Sequence, residues 1–165
     1  MPNYRRVWML GGTYFFTLAL ADRGQSLLVD HIGALRAAYA WTRRLHPFRT
    51  VAIVVLPDHL HAVWTLPDGS ADFALRWKLI KEGFSRRLPR TEPRSPSRRW
   101  QGERGIWQRR YWEHAIRDER DLAGHIDYVH FNPVKHGHVQ RAAEWRHSSF
   151  HRFVREGRLA PDWAG

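Results

Sequence analysis

The stretch "VVLPDHLHAVWTLP", residues 54–67, sets His59 and His61 one residue apart in an otherwise apolar run. Pro57-Asp58 within it is a turn signal. Before the turn, "RTVAIVVLP" (49–57) is a nearly continuous β-branched run, the pattern of a strand buried on both faces. After it, "HLHAVWTLP" (59–67) reads as the hairpin partner. Side chains alternate between the faces of a strand, so His59, His61, Val63 and Thr65 share one face. Leu60, Ala62, Trp64 and Leu66 share the other, which is expected to pack on the core while the histidine face looks elsewhere. A rise of about 3.3 Å per residue puts the two histidine Cα atoms roughly 7 Å apart, close enough for both rings to converge on one ion.

Outward from this hairpin the chain reads as alternating strands and helices. "TYFFTLAL" (13–20) is a strand after Gly-Gly punctuation. "SLLVDHIGALRAAYAWTRRL" (26–45) has apolar residues at helical spacing and ends before Pro47. "FALRWKLIKEGFSRRL" (73–88) is a second helix. Residues 89–105, rich in Pro, Ser, Gly and Arg, lack periodicity and are expected to form a mobile basic loop. "IWQRRYWEHAIR" (106–117) is a strand, and "DERDLAGHIDYVHF" (118–131) a third helix, capped by Asp118 with Asp121 three residues on. Asn132-Pro133 is expected to interrupt that helix, because a residue before proline avoids the α region. Residues 141–165 form a basic tail, partly helical at most. The order predicts an α+β domain over residues 1–165, helices packed on an antiparallel sheet.

Composition narrows the partners. The 165 residues carry a formal net charge of +11, and a surface this basic attracts polyanions, most often nucleic acid. Arginine outnumbers lysine, and guanidinium groups suit bidentate phosphate contacts and base stacking. With nine tryptophans, the chain has the means to grip a single strand through stacking and phosphate contacts. No stretch reaches the ~20 uninterrupted apolar residues of a membrane span. Without cysteine, disulfides and thiolate metal sites are excluded. The N-terminus does not read as a signal peptide, so the cytoplasm is the expected location.

On the helix "DLAGHIDYVHFNP", Leu122, Ile126 and Val129 follow a core stripe. Asp121, His125, Tyr128 and Asn132 lie on another face, so Tyr128 is offered to something other than the core. Most tyrosines on helices are half-buried packing residues, and most of the 11 histidines are solvated or bonded to carbonyls. Neither motif is specific alone. Two imidazoles do not choose a metal, although Mg²⁺ or Mn²⁺ completed by substrate phosphate suits a DNA-attracting protein.

Together the motifs resemble the HUH endonucleases with a single catalytic tyrosine, in which His, hydrophobic, His corresponds to His59-Leu60-His61. The likeness is closer still to the REP-associated tyrosine transposases. It rests on "GGTYFFT", "VVLPDHLHAVWTLP", "RYWEHAIRDERDLAGHIDYVHFNPVKHG" and "PDWAG", spread over nearly the whole chain apart from the 89–105 loop. The resemblance implies a ferredoxin-like HUH endonuclease fold and a monomer. It implies Tyr128 as nucleophile, His59 and His61 as ligands of Mg²⁺ or Mn²⁺, and Asn132 as a third ligand. His125 is placed to influence the phenol's proton. The implied substrate is single-stranded DNA with REP-type hairpins, cut through a 5′-phosphotyrosine link that a 3′-OH can reverse. Arg5, Arg6, Arg109 and Arg110 are the first candidates for DNA contacts, and Arg98, Arg99 and Arg104 in the loop come after them.

Three rivals are open at this point. A domesticated relative could bind hairpins without cutting. A hydrolytic metallonuclease would use water, leave no adduct and survive Tyr128→Phe. An RNA-binding module fits the charge but not the placement of the histidines.

Overall fold

Seven residues on each side of the Pro57-Asp58 turn pair as β2 (Arg49–Val55) and β3 (His59–Thr65), the antiparallel hairpin expected from the opening stretch. A computed structural model describes residues 8–165 of the chain. β1 (Thr13–Ala19) pairs antiparallel with β3 on one side and with the short β4 (Trp112–Ala115) on the other. The sheet order is β2-β3-β1-β4, the ferredoxin-like arrangement in which consecutive strands are not always neighbours.

Both faces of this sheet are covered. On one, Tyr14, Phe16, Leu18, Leu60, Ala62 and Trp64 pack against α2 (Ile32–Leu45) and α3 (Phe73–Arg86). Trp64 and Trp77 stack there with centroids 3.9 Å apart. On the other, Phe15, Val54, Val63 and Val129 form a second core, joined by Leu122 and Ile126 of α5 (Glu119–Lys135). The histidine face of β3 therefore looks into this second layer rather than outward. Side-chain caps set the helix starts: Asp72 accepts from the Leu75 N–H at 3.0 Å, and Asp118 from the Asp121 N–H at 2.8 Å.

Four expectations change. The helix expected over 26–45 is two pieces, α1 (Leu27–Asp30) and α2, separated at His31 by non-helical backbone (φ −115°, ψ 37°). The strand expected over 106–117 shrinks to β4. Ile106 and Trp107 are buried core residues, and Trp107 makes only an isolated bridge to Leu20. Within 89–105 the chain forms the short α4 (Pro96–Trp100). Arg104 there bonds Glu92 and the carbonyls of Ser85, Leu88 and Pro89.

The fourth change matters most for the site. α5 continues through Pro133 to Lys135 instead of ending near Phe131. Proline's missing N–H costs one bond, but the last turn is closed by a Schellman arrangement. The N–H of His138 donates to Pro133 O (3.0 Å) and that of Gly137 to Val134 O (2.9 Å), with Gly137 at φ 74°.

The basic tail follows, through a 3₁₀ turn (Ala142–Glu144) and α6 (Phe150–Arg155), and lies along the free edge of β2. Ser149 Oγ accepts from Ile53 N–H (2.8 Å), and Val55 N–H donates to His147 O (2.9 Å). An unpaired strand edge is thereby covered.

Candidate active site

β3 and α5 place the predicted residues together. His59 and His61 are buried, and their ring centroids are 5.0 Å apart. Each ring is held by its Nδ1. That of His59 donates to Asp58 at 2.8 Å, and Asp58 is itself bonded by Arg23 Nε at 2.5 Å. That of His61 shares a 2.8 Å hydrogen bond with the Thr17 hydroxyl, its cross-strand neighbour on β1. Nε2 is thus the nitrogen left for a ligand on each ring, the anchoring usual for metal-binding histidines. Burial, followed by the neighbouring His59 and His136, pushes His61 down to about 3, so its ring is neutral near pH 7.

Asn132 is fully buried one helical turn beyond Tyr128. Its nearness offsets a small part of the His61 depression. Yet among the described residues neither of its amide atoms, nor Nε2 of His61, completes a hydrogen bond of sound geometry. Each such orphaned group costs about 1–3 kcal/mol. Two imidazole nitrogens and an amide oxygen in one buried place are a donor set that fits a divalent ion, Mn²⁺ more comfortably than Mg²⁺.

Tyr128 is 38% exposed and stands edge-on to His61, centroids 5.1 Å apart, and to Phe15 at 5.8 Å. Its hydroxyl accepts from Lys135 Nζ at 3.4 Å, and the same ammonium lies 4.7 Å from the ring centre. Lys135 and His136 are functional candidates the sequence reading missed. His136 packs against His59 at 4.9 Å, and burial with the charges of His59 and Lys135 lowers its affinity for a proton. Both sit seven and eight residues after Tyr128. A helix continued through Pro133 would have brought them to the tyrosine's face.

His125 donates to the Asp121 carbonyl (2.8 Å) and packs on Phe15 (4.7 Å), and it lines the same cavity of about 620 Å³ as Tyr128. Arg109 is bonded to Glu103 (2.9 Å) and Ser97 (2.9 Å), away from Tyr128. It lines a cavity of about 680 Å³ with Lys78, Lys81, Arg86, Arg90 and Arg98. Arg110 is exposed next to it. Arg99 is exposed on α4, whereas Arg98 is tied to Glu103 and the Trp107 carbonyl. Arg5 and Arg6 lie outside the described residues. A further cluster, His114, Asp121 and His125, also offers ligand atoms that could hold a metal ion. No helix among the described residues is long and apolar enough to cross a membrane.

No protein-family model matches the chain. Whole-chain relatives do. A protein named REP-associated tyrosine transposase from Haemophilus influenzae is 48% identical over 166 residues, covering all of this chain and 94% of the relative. Another of that name from Escherichia coli K12 is 44% identical over 165 residues, covering all of this chain and 92% of the relative. A solved REP-associated tyrosine transposase bound to a REP hairpin superposes with a TM-score of 0.87 at 44% identity, over 100% of this chain and 92% of that one. At this identity over the full length, the shared four-stranded antiparallel sheet and its helices are common descent: the chain belongs to the family of REP-associated tyrosine transposases.

Proposed function

We propose that this protein cuts and rejoins single-stranded DNA beside REP-type hairpins, with Tyr128 as the nucleophile. The observation that carries the reading is the meeting of Tyr128 with His61 beside the unpartnered Nε2 of His61 and amide of Asn132. His59, His61 and Asn132 would hold Mg²⁺ or Mn²⁺, which when bound supplies Lewis acidity at the scissile phosphate. The phenol oxygen bonds to phosphorus and the P–O3′ bond breaks. The phenol's proton ends on the departing 3′ oxygen, so a 5′-phosphotyrosine and a 3′-OH form without hydrolysis. Lys135 places a positive charge where the phenol oxygen loses its proton and the phosphate arrives. Asp58 and Thr17 fix the two imidazoles in the orientation the ion needs.

The hairpin stem would be held by phosphate contacts from the basic cavity around Lys78, Arg86 and Arg109, since basic clusters position a nucleic acid without reading its sequence. The protein would act as a monomer on the nucleoid in the cytoplasm. The test is a denaturing gel of the protein incubated with Mg²⁺ or Mn²⁺ and labelled single-stranded hairpin DNA from its host. A protein–DNA adduct, absent from Tyr128→Phe, is the expected result. Cleavage without an adduct that persists in the variant would replace the reading with water-mediated hydrolysis. Tight binding with no cut would replace it with a non-cleaving hairpin binder.

A further inference from the structure

Three side chains from two elements meet on the β4 side of Phe15. In the sheet, β1 separates β3, which carries His61, from β4, where His114 is the register partner of Phe15. Asp121 and His125, one turn apart on α5, close over it. His114 Nε2 donates to Asp121 Oδ2 at 2.8 Å, and His125 Nδ1 lies 3.2 Å from Asp121 Oδ1. The two rings stack with centroids 4.7 Å apart and 19° between planes. One ligand atom from each of the three residues lies within 4.8 Å of the others, and among the described residues no other trio of His, Cys, Asp or Glu does so.

We propose that His114, Asp121 and His125 are a second metal site, for a borderline dication of the Zn²⁺ or Co²⁺ kind. Two imidazoles and one carboxylate are the donor set of three-ligand sites that keep a coordination position open. It is too nitrogen-rich to favour Mg²⁺ or Ca²⁺. The carboxylate is already oriented, because the Arg117 N–H donates to Oδ2 at 2.9 Å and Asp118 caps the backbone of Asp121 at 2.8 Å. The Arg117 bond and then the His114 bond also hold Asp121 ionised, near a pKa of about 2.

Access is present. The His114 and His125 side chains are each 26% exposed, and Asp121 and His125 line a cavity of about 620 Å³ that Tyr128 borders. An ion entering there binds His114 as neutral imidazole: the Nε2 proton moves through solvent to Nδ1, and histidine–aspartate hydrogen bonds are exchanged for metal bonds. A DNA phosphate oxygen entering that cavity would complete the shell of the ion. This site needs neither His59 nor His61, so it stands or falls separately from the assignment of the catalytic ion.

The test is a Co²⁺ titration of the full chain followed by visible absorption, with Zn²⁺ as competitor. It compares wild type, the double variant His59→Ala/His61→Ala, and that double variant carrying His114→Gln or His125→Gln. Far-ultraviolet circular dichroism verifies that each is folded. In the double variant one equivalent of Co²⁺ should still bind with the intense bands of a low-coordinate nitrogen–oxygen site, and Zn²⁺ should displace it. Either Gln substitution should weaken that binding by more than about tenfold. Absence of the bands from the folded double variant would overturn the proposal. So would Co²⁺ affinity unchanged by both Gln substitutions.

Discussion

The Tyr128 ring stands edge-on to the His61 imidazole, 72° between planes and 5.1 Å between centroids, although the two residues come from different layers of the fold. This contact joins the strand that orients the imidazoles to the helix that presents the phenol. Removing only the hydroxyl should separate chemistry from architecture, because among the described residues its one hydrogen bond is the long one from exposed Lys135. Tyr128→Phe should abolish the covalent adduct while leaving hairpin affinity within a factor of two or so and stability within about 0.5 kcal/mol. A gel, a binding isotherm and a thermal melt measure the three.

Asn132 makes an opposite prediction for stability. Its buried amide lacks a hydrogen-bond partner among the described residues, so the metal-free chain bears a desolvation cost there. Asn132→Leu should raise the unfolding free energy of the chelator-treated protein by about 1–3 kcal/mol if the leucine fits. The same substitution should remove the stabilisation that excess Mn²⁺ gives the wild type. Denaturant titrations with chelator and with Mn²⁺ decide both halves. A loss of stability in chelator would show that Asn132 has a structural partner.

How much of this was legible beforehand follows from which interactions are local. The β2–β3 hairpin follows from a β-branched run, a Pro-Asp turn and an alternating partner strand, and the split of α5 into a core stripe and a polar stripe from a period of 3.6; both are present. The reach of α5 was not legible, because local steric rules at Asn132-Pro133 say stop, whereas the capping bonds of Gly137 and His138 supply the missing closure. Lys135 and His136 were hidden by that one misplaced helix end. The His114–Asp121–His125 cluster needs the register of β4 on β1, and no local pattern announces which residue will sit opposite Phe15. The loop arginines divide on tertiary grounds too: Arg104 and Arg98 are spent on carbonyls and carboxylates of their own chain.

Acid should loosen the tail before it destroys the sheet. His130 is fully buried and bonded to Ser149 at 2.8 Å. Burial, then Arg152 and Arg158, push its pKa from 6.5 down to about 4. Between those values the unfolded chain binds a proton that the native chain refuses, so stability falls as pH drops through this window and is unaffected by this group above it. His130→Gln keeps a donor for Ser149 without a titrating ring and should show a shallower fall. Thermal midpoints at pH 7 and pH 4.5, measured in chelator, give the comparison. Parallel curves for the two proteins would remove His130 from the account.

The basic cavity predicts a salt-dependent term distinct from the chemistry. Lys78 and Arg86 line it, on the α3 side of the sheet, remote from the α5 layer that presents Tyr128. If they neutralise phosphates of a hairpin stem, each lost contact removes about one released counterion from the binding equilibrium. Lys78→Gln and Arg86→Gln should each weaken binding about equally for different hairpin sequences and lower the slope of log affinity against log salt by about 1. If Tyr128 is the nucleophile, neither should move the position of the cut. Affinities at several salt concentrations, for two unrelated hairpins, test this directly. A loss confined to one hairpin would mean that these residues read bases, and an unchanged slope would place the stem on another face of the protein.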